Sequence, residues 1–428
     1  MSQTEITDQV IKVIAQEIDS RNNRPAKLSI VSVDDASESP HYFEIVAFDQ
    51  IDKGKNIFFA IDGSHSSQEF YNGLSIGVYA AGYIGYYGGK QLQLNPENDS
   101  ISLGKSYYPK NILITNEQHA HAVYDEMLAL SPVKSFMDFL GVSPDEIFSF
   151  DREIIVSSLS KLLSFCQEVL EWSLVYEIAN LSIVTPGDII LRDSPLRSNN
   201  LKQTYLVKLA AFLTAKGIHL VAVTKNSPVK LELASTFKKI DNYLQDVYKH
   251  TYPFSNAEPQ WQKLCCWFEI GDDILLSAYP EAKQKKAIKA GEIPTVNLTS
   301  MYARKTLTGG RGMGIFFAAR LDYVEKLQNY DWVVVDLNIF DVIPEIENGK
   351  SERNIGLINK IFYELTRLTQ EHYILGYPYP LVEVHSFVTI KDQFKGELMN
   401  RVKYALYHDQ RMDHVDIENL FLDLNDRF

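Results

Sequence analysis

Two aspartates close apolar runs in the same way. Asp62 follows Ile57-Phe58-Phe59-Ala60-Ile61 and precedes Gly63-Ser64; Asp193 follows the run Gly187–Leu191 and Arg192, and precedes Ser194-Pro195. Short apolar runs that end in turn residues read as buried strands, so each carboxylate is expected at the carboxyl end of a strand. Acids on neighbouring strand ends repel unless a cation neutralises them, and a hard divalent ion such as Mg²⁺ or Mn²⁺ takes oxygen ligands. Either aspartate alone would be satisfied as a turn residue. Glu177 shifts that balance, because Leu163, Cys166, Leu170, Leu174, Glu177 and Leu181 share one helical face. A carboxylate in an apolar stripe is costly to bury unless it is paired or bound to a metal. Glu168 and Glu171 group instead with Ser160, Lys161, Ser164 and Gln167 and read as solvated.

Other chemistry-bearing residues carry weaker signals. Asp336 repeats the pattern after Val333-Val334-Val335, but Leu337 and Ile339 imply that its strand runs on. His119 and His121 fall at a helix start, where positions i and i+2 do not face each other, and read as surface residues. His385 lies in the apolar run Leu381–Val388, read as a strand after the rigid turn Tyr377-Pro378-Tyr379-Pro380. The run Gly309-Gly310-Arg311-Gly312-Met313-Gly314 lacks the Gly-Lys-Ser/Thr ending of a P-loop and reads as a basic loop. The sequence holds no Walker A site and no zinc-protease motif, which excludes P-loop ATP hydrolysis and that protease class.

The elements that must carry these residues follow from periodicity. An amphipathic helix is expected over 5–20 and strands over 27–33, 42–48 and 57–61, with a pair of Tyr-rich strands over 71–87 and a strand over 112–115. Phe70 to Gly89 holds no charged residue, but its glycines and tyrosines fit strands better than a membrane helix. Helices are expected over about 117–140, 152–182 and 201–216, with a strand over 219–224. Further on come strands near 314–319 and 332–337, a helix near 353–370 and a final helix from about 393. Three strands, then helices, then strand–helix alternation is the order of a ribonuclease-H-like fold. The organisation read from this is an N-terminal helix and strands over 1–55 and the first part of an α/β core, with a mixed sheet flanked by helices, over 56–234. A mainly helical, partly loop-like insertion over 235–310 and a C-terminal part over 311–428 that completes the core follow.

A formal net charge of −13 argues against indiscriminate nucleic-acid binding but leaves room for a local basic track. Cationic residues cluster at Lys225 and Lys230, at Lys283 to Lys289, and at Arg304, Lys305 and Arg311; such runs are usually solvated faces. Three cysteines, none spaced as a metal or redox motif, fit reduced thiols in a soluble cytoplasmic protein. The polar N-terminus does not resemble a signal peptide.

Several short segments, in order, resemble motifs of the NurA nuclease family. Phe59-Ala60-Ile61-Asp62-Gly63-Ser64 resembles the first motif, and Ile190-Leu191-Arg192-Asp193-Ser194-Pro195 the second, with Glu177 at about the expected distance upstream. Val221-Ala222-Val223-Thr224-Lys225 is similar to the family's strand ending in lysine, and Gly376 to Leu381 with Glu383-Val384-His385 to its tyrosine–proline and histidine motif. Ser194 stands where the family commonly has glycine, and Val384 where a smaller residue more often precedes the histidine. The resemblance implies a ribonuclease-H-like homodimer that cleaves DNA with Mn²⁺ (or Mg²⁺), as exonuclease and single-strand endonuclease. It also implies partnership with a HerA-type hexameric ATPase in DNA end processing or antiphage defence. On that basis Asp62, Glu177 and Asp193 hold the metal, and His385 is a further ligand or positions the attacking water. Tyr377 orients phosphate or strand, while Lys225, Lys230, Arg304, Lys305 and Arg311 contact DNA. Two other readings stay open: a catalytically silent dimeric adaptor for a DNA translocase, and a ribonuclease-H-like nuclease acting on RNA or hybrids.

Overall fold

The computed structural model describes residues 11–16, 43–45, 56–69, 75–88, 90–92, 105–107, 113–114, 117–198, 200–224, 230, 233–248, 265–270, 313–324, 329–348, 352–370, 377–390 and 392–408. Residues 11–16 are helical (α1), followed by β1 (Phe43–Ile45), β2 (Phe58–Glu69), β3 (Ser75–Tyr87), β4 (Lys90–Gln91), β5 (Lys105–Tyr107) and β6 (Leu113–Ile114). Next come α2 (Glu117–Ala129), α3 (Ser131–Leu140), α4 (Pro144–Ile147), α5 (Arg152–Val156), α6 (Leu159–Ala179), β7 (Ile189–Arg192), α7 (Gln203–Ala215) and β8 (His219–Thr224). The chain continues through α8 (Ala234–Tyr248), β9 (Cys266–Glu269), β10 (Gly314–Val324), β11 (Asn329–Asn338), α9 (Ile339–Val342), α10 (Ile355–Gln370), α11 (Tyr379–Val388) and α12 (Asp392–His408). Two compact units share the chain, each built from discontinuous segments.

The unit formed by Lys55–Asp193, Arg197–Leu220 and Pro380–Phe428 carries a mixed sheet. β2 pairs antiparallel with β3 along its whole length and parallel with β7, and β3 also pairs with β4, β5 and β6. The first half of β2, Phe58 to Ile61, is buried because it is apolar on both faces, as a central strand must be. α6 packs on β2 and β3, with α2, α3 and α5 packed on α6 in turn. Sandwiched this way, its second half is apolar nearly all round and buried from Val169 through Val175. Lysines of the α7 region close two helix ends. Lys208 Nζ donates to the carbonyls of Phe139 and Leu140 at the end of α3, and Lys216 Nζ donates to that of Ala179 at the end of α6. Each places a cation at the negative pole of a helix.

The other unit, Met1–Gly54, Ser194–Leu196 and Val221–Tyr379, is built on antiparallel pairings in the order β1-β9-β10-β11-β8. α10 packs on β10, and Arg353 grips the buried Glu269 with two hydrogen bonds of 2.9 and 2.8 Å.

The α/β class with a mixed sheet flanked by helices is as the sequence implies, and several details differ. Asp62 does not end a strand: β2 continues to Glu69 because its polar second half pairs with β3. Within the described residues the Tyr-rich segment forms one long strand, β3. The helix expected over 117–140 breaks before Pro132, which sits in the first turn of α3, and that over 152–182 breaks at Ser157-Ser158. The stretch 235–310, read as helical and loop-like, supplies β9 to a sheet. The segment read as a strand through His385 is the helix α11. Expected strand 27–33 lies outside the described residues. No helix among the described residues is long and apolar enough to cross a membrane.

Candidate active site

The parallel pairing of β2 with β7 determines which acids meet. Its register runs from Phe58 opposite Ile189 to Ile61 opposite Arg192, so Asp62 and Asp193 follow as neighbours one residue beyond, on strands roughly 5 Å apart. Asp188, fully buried, holds the other end of this pairing: its Oδ1 accepts the Ile57 N–H at 2.7 Å and its Oδ2 the Thr185 N–H at 2.7 Å. Both aspartates are half-buried.

The third carboxylate at Asp62 is Glu171, not Glu177. Gly63 makes the approach possible: a Cβ there would collide with Glu171 Oε1 and stand 2.5 Å from Gln167 Cγ. Glu171, which the helical wheel places on a solvated side, is 4% exposed. That side is open at Ser160, Lys161 and Ser164 and closes as α6 runs under the sheet. Both Glu171 oxygens are hydrogen bonded, Oε1 accepting from Gln167 Nε2 at 2.7 Å and Oε2 from Arg192 Nη2 at 2.6 Å. Gln167 in turn accepts from His65 Nδ1 at 2.5 Å. Glu177 is half-buried beside the Tyr83 hydroxyl, whose ionisation is pushed up by burial and then by that carboxylate.

Asp62 itself is held on two sides. Oδ1 accepts the Gly63 N–H at 2.8 Å, and Oδ2 accepts from Nδ1 of His385 at 2.8 Å. With Nδ1 engaged by Asp62, Nε2 is the remaining ring nitrogen, and the side chain is 63% exposed. The Ile390 N–H donates to Ser64 Oγ at 3.2 Å, which ties the end of α11 to β2. Burial raises the Asp62 carboxyl to about 6, and the charges of Glu171 and then Asp193 add to the rise, against the hydrogen bonds from His385 and Gly63. Crowded carboxylates beside an imidazole can hold a hard cation or share a proton. Among the described residues no three His, Cys, Asp or Glu side chains form a ready metal cage.

The chain is similar to a known nuclease structure. The crystal structure of the NurA nuclease from Sulfolobus solfataricus shares 13% identity with it, over 96% of this chain and 100% of that one, with a TM-score of 0.42. A likeness at this level assigns no residue a role. No family profile and no curated protein matches the chain.

The remaining sequence candidates lie elsewhere. Tyr377, in the other unit, is 1% exposed and its hydroxyl donates to the Val223 carbonyl at 2.7 Å, so it braces β8 rather than presenting a phenol to a ligand. Lys230 is half-buried in the same unit. Lys225, Arg304, Lys305 and Arg311 lie outside the described residues. Asp336 is 2% exposed on β11 and accepts the Leu196 N–H at 2.8 Å, with Gly314 leaving room for its carboxylate. His121 accepts from Arg152 Nε at 2.9 Å on the flank of α2.

Once the structure fixes the end of α6 at Ala179, the level of Glu171 follows from rise alone. A strand climbs about 3.3 Å per residue and a helix about 1.5 Å. The four steps from Ile189 to Asp193 therefore match about nine helical residues, and nine back from the end of α6 falls near 171.

Proposed function

We propose that this chain is a metal-dependent deoxyribonuclease whose site is Asp62, Glu171, Asp193 and His385. The observation that carries the proposal is the crowding of Asp62 by two further acids in a half-buried position. The donor set is hard oxygen plus imidazole nitrogen, which suits Mn²⁺ or Mg²⁺, and Mg²⁺ commonly takes only one or two carboxylates, with waters and substrate phosphates completing its shell. Asp62 and Asp193 would hold the ion, with His385 beside them. When bound, such an ion lowers the pKa of its water and neutralises charge on the phosphate. His385, oriented by Asp62, would accept a proton at Nε2, and Glu171 would hold the negative field that keeps the ion at the strand ends.

Action on DNA as exonuclease and single-strand endonuclease, a homodimer, and a HerA-type hexameric ATPase as motor in end processing or defence are part of the same proposal. They rest on the motif resemblance. A cytoplasmic setting is proposed with them.

One observation favours a second reading, the silent adaptor. Both oxygens of Glu171 are already engaged, so the acid set stands as well braced without a metal as an adaptor's would. Cleavage of labelled linear and single-stranded DNA in Mn²⁺ decides between them, with RNA and hybrid substrates alongside. The nuclease reading expects activity on DNA that Asp62→Asn and Glu171→Gln abolish and Glu177→Gln retains. No cleavage of any substrate, even with the ATPase added, sinks it in favour of the adaptor.

A further inference from the structure

Arg192 is the residue immediately before Asp193, and strand alternation turns it towards the opposite face. Its side chain is 3% exposed, its Nη2 stands 2.6 Å from Glu171 Oε2, and its guanidinium lies 4.0 Å from the centre of the Trp172 ring. The same charge reaches Glu168, whose carboxyl burial pushes up while hydrogen bonds from Ser198 and the Arg192 charge pull it down. One guanidinium therefore serves two acids of α6, and one of those acids presses on Asp62. A guanidinium keeps its charge at any working pH, and stacking on an indole in a dry site strengthens its hold.

We propose that Arg192 is a positioning residue that acts as the resident counter-cation of this acid cluster, keeping Glu171 in place beside Asp62 until a divalent ion shares the task. The inference rests on the metal-dependent reading above. Its physical content is a substitution of charges. With the guanidinium present, Glu171 is neutralised and oriented without metal, and a divalent ion adds little to the stability of the fold. Without it, a buried carboxylate is left uncompensated, which is strongly destabilising, and a divalent ion becomes the available replacement. A purely structural Arg–Glu pair remote from the metal would show no such exchange.

The test is the thermal midpoint of the full chain in EDTA and in Mn²⁺, for wild type, Arg192→Met and the double variant Arg192→Met/Glu171→Gln. Arg192→Met should melt lower in EDTA, and Mn²⁺ should raise it by on the order of 5 °C more than it raises wild type. The double variant, which removes both charges, should melt closer to wild type in EDTA and lose that extra Mn²⁺ shift. A variant that folds only in Mn²⁺ and unfolds on chelation is the same result in extreme form. An Mn²⁺ shift in Arg192→Met no larger than the wild-type shift overturns the inference, as does a variant that fails to fold with or without Mn²⁺ while the double variant folds and keeps the wild-type shift. The two claims separate cleanly. If wild type and variants alike ignore Mn²⁺, the metal-dependent reading has failed; if all respond equally, that reading stands and Arg192 is only a brace.

Discussion

Asp62 and Asp336 sit in different units of the molecule and follow the same sequence pattern, an apolar strand run ending in aspartate. Around Asp62, burial and then the charges of Glu171 and Asp193 raise its carboxyl to about 6, and an exposed histidine touches it. Asp336 is nearly fully buried, accepts the Leu196 N–H and is accommodated by Gly314. A buried acid that accepts a backbone amide braces the backbone, whereas an acid crowded by like charges holds energy that a cation can release. The pattern in the sequence is shared; the company each acid keeps is what marks a site.

The comparison breaks most sharply on conservative amides. Asp62→Asn should lower Mn²⁺-dependent DNA cleavage by about 10³-fold or more with little loss of stability, since it removes a repelled charge. Asp336→Asn should do the reverse in urea unfolding, costing about 1–3 kcal/mol. Equal losses of activity, with both proteins stable, would erase the distinction.

The glycines opposite each acid give the next test. An alanine Cβ at 314 would collide with Asp336 Oδ1, and Asp336 is nearly fully buried, so Gly314→Ala should cost on the order of 3 kcal/mol. At Gly63 the clash is with the ends of Glu171 and Gln167, which can turn. Gly63→Ala should therefore cost less stability, about 1–2 kcal/mol, yet cut cleavage at least about tenfold by displacing Glu171.

Asp241, on α8, supplies a pH test in the same unit as Asp336. Burial raises its carboxyl to about 6 against the opposing charge of Arg320 and a hydrogen bond from Trp332. Its folded value exceeds the unfolded one, so the folded state binds the proton more tightly. Stability should fall as pH rises from about 4 to about 6, by on the order of 2 kcal/mol, and stay lower above that. Asp241→Asn should flatten that slope in chemical unfolding followed across pH. The smallest effect belongs to a helix end: Lys208→Met should cost about 1 kcal/mol or less, read as a small drop in thermal midpoint.

Much of the frame is legible in the chain because apolar runs of four to six residues leave little choice: β7, β8, β11 and the start of β2 fall where the hydrophobicity says. Asp62 and Asp193 are legible for the same reason. Two things are not. α11 is rich in β-branched residues and reads as a strand, yet Pro380 suits a first helical turn and the buried Leu381, Val384 and Val388 keep helical spacing. Glu171 is hidden because a helical wheel treats α6 as uniform along its length, while the side it shares with Ser160, Lys161 and Ser164 is exposed at those residues and buried at Glu171. The wheel sees faces and not depth.

The Asp188 clasp has a bearing on how this chain could change in length. Asp188 fixes where β2 and β7 begin their parallel pairing, so the segment 180–184 before the Thr185–Asp188 clasp is a spacer between α6 and β7. Residues inserted there would lengthen a loop and leave both acids level. One residue inserted between Asp188 and Asp193 would instead exchange the faces of Arg192 and Asp193, turning the guanidinium away from Glu171 and the carboxylate away from Asp62. Variation in length is therefore expected on one side of Asp188 and barred on the other.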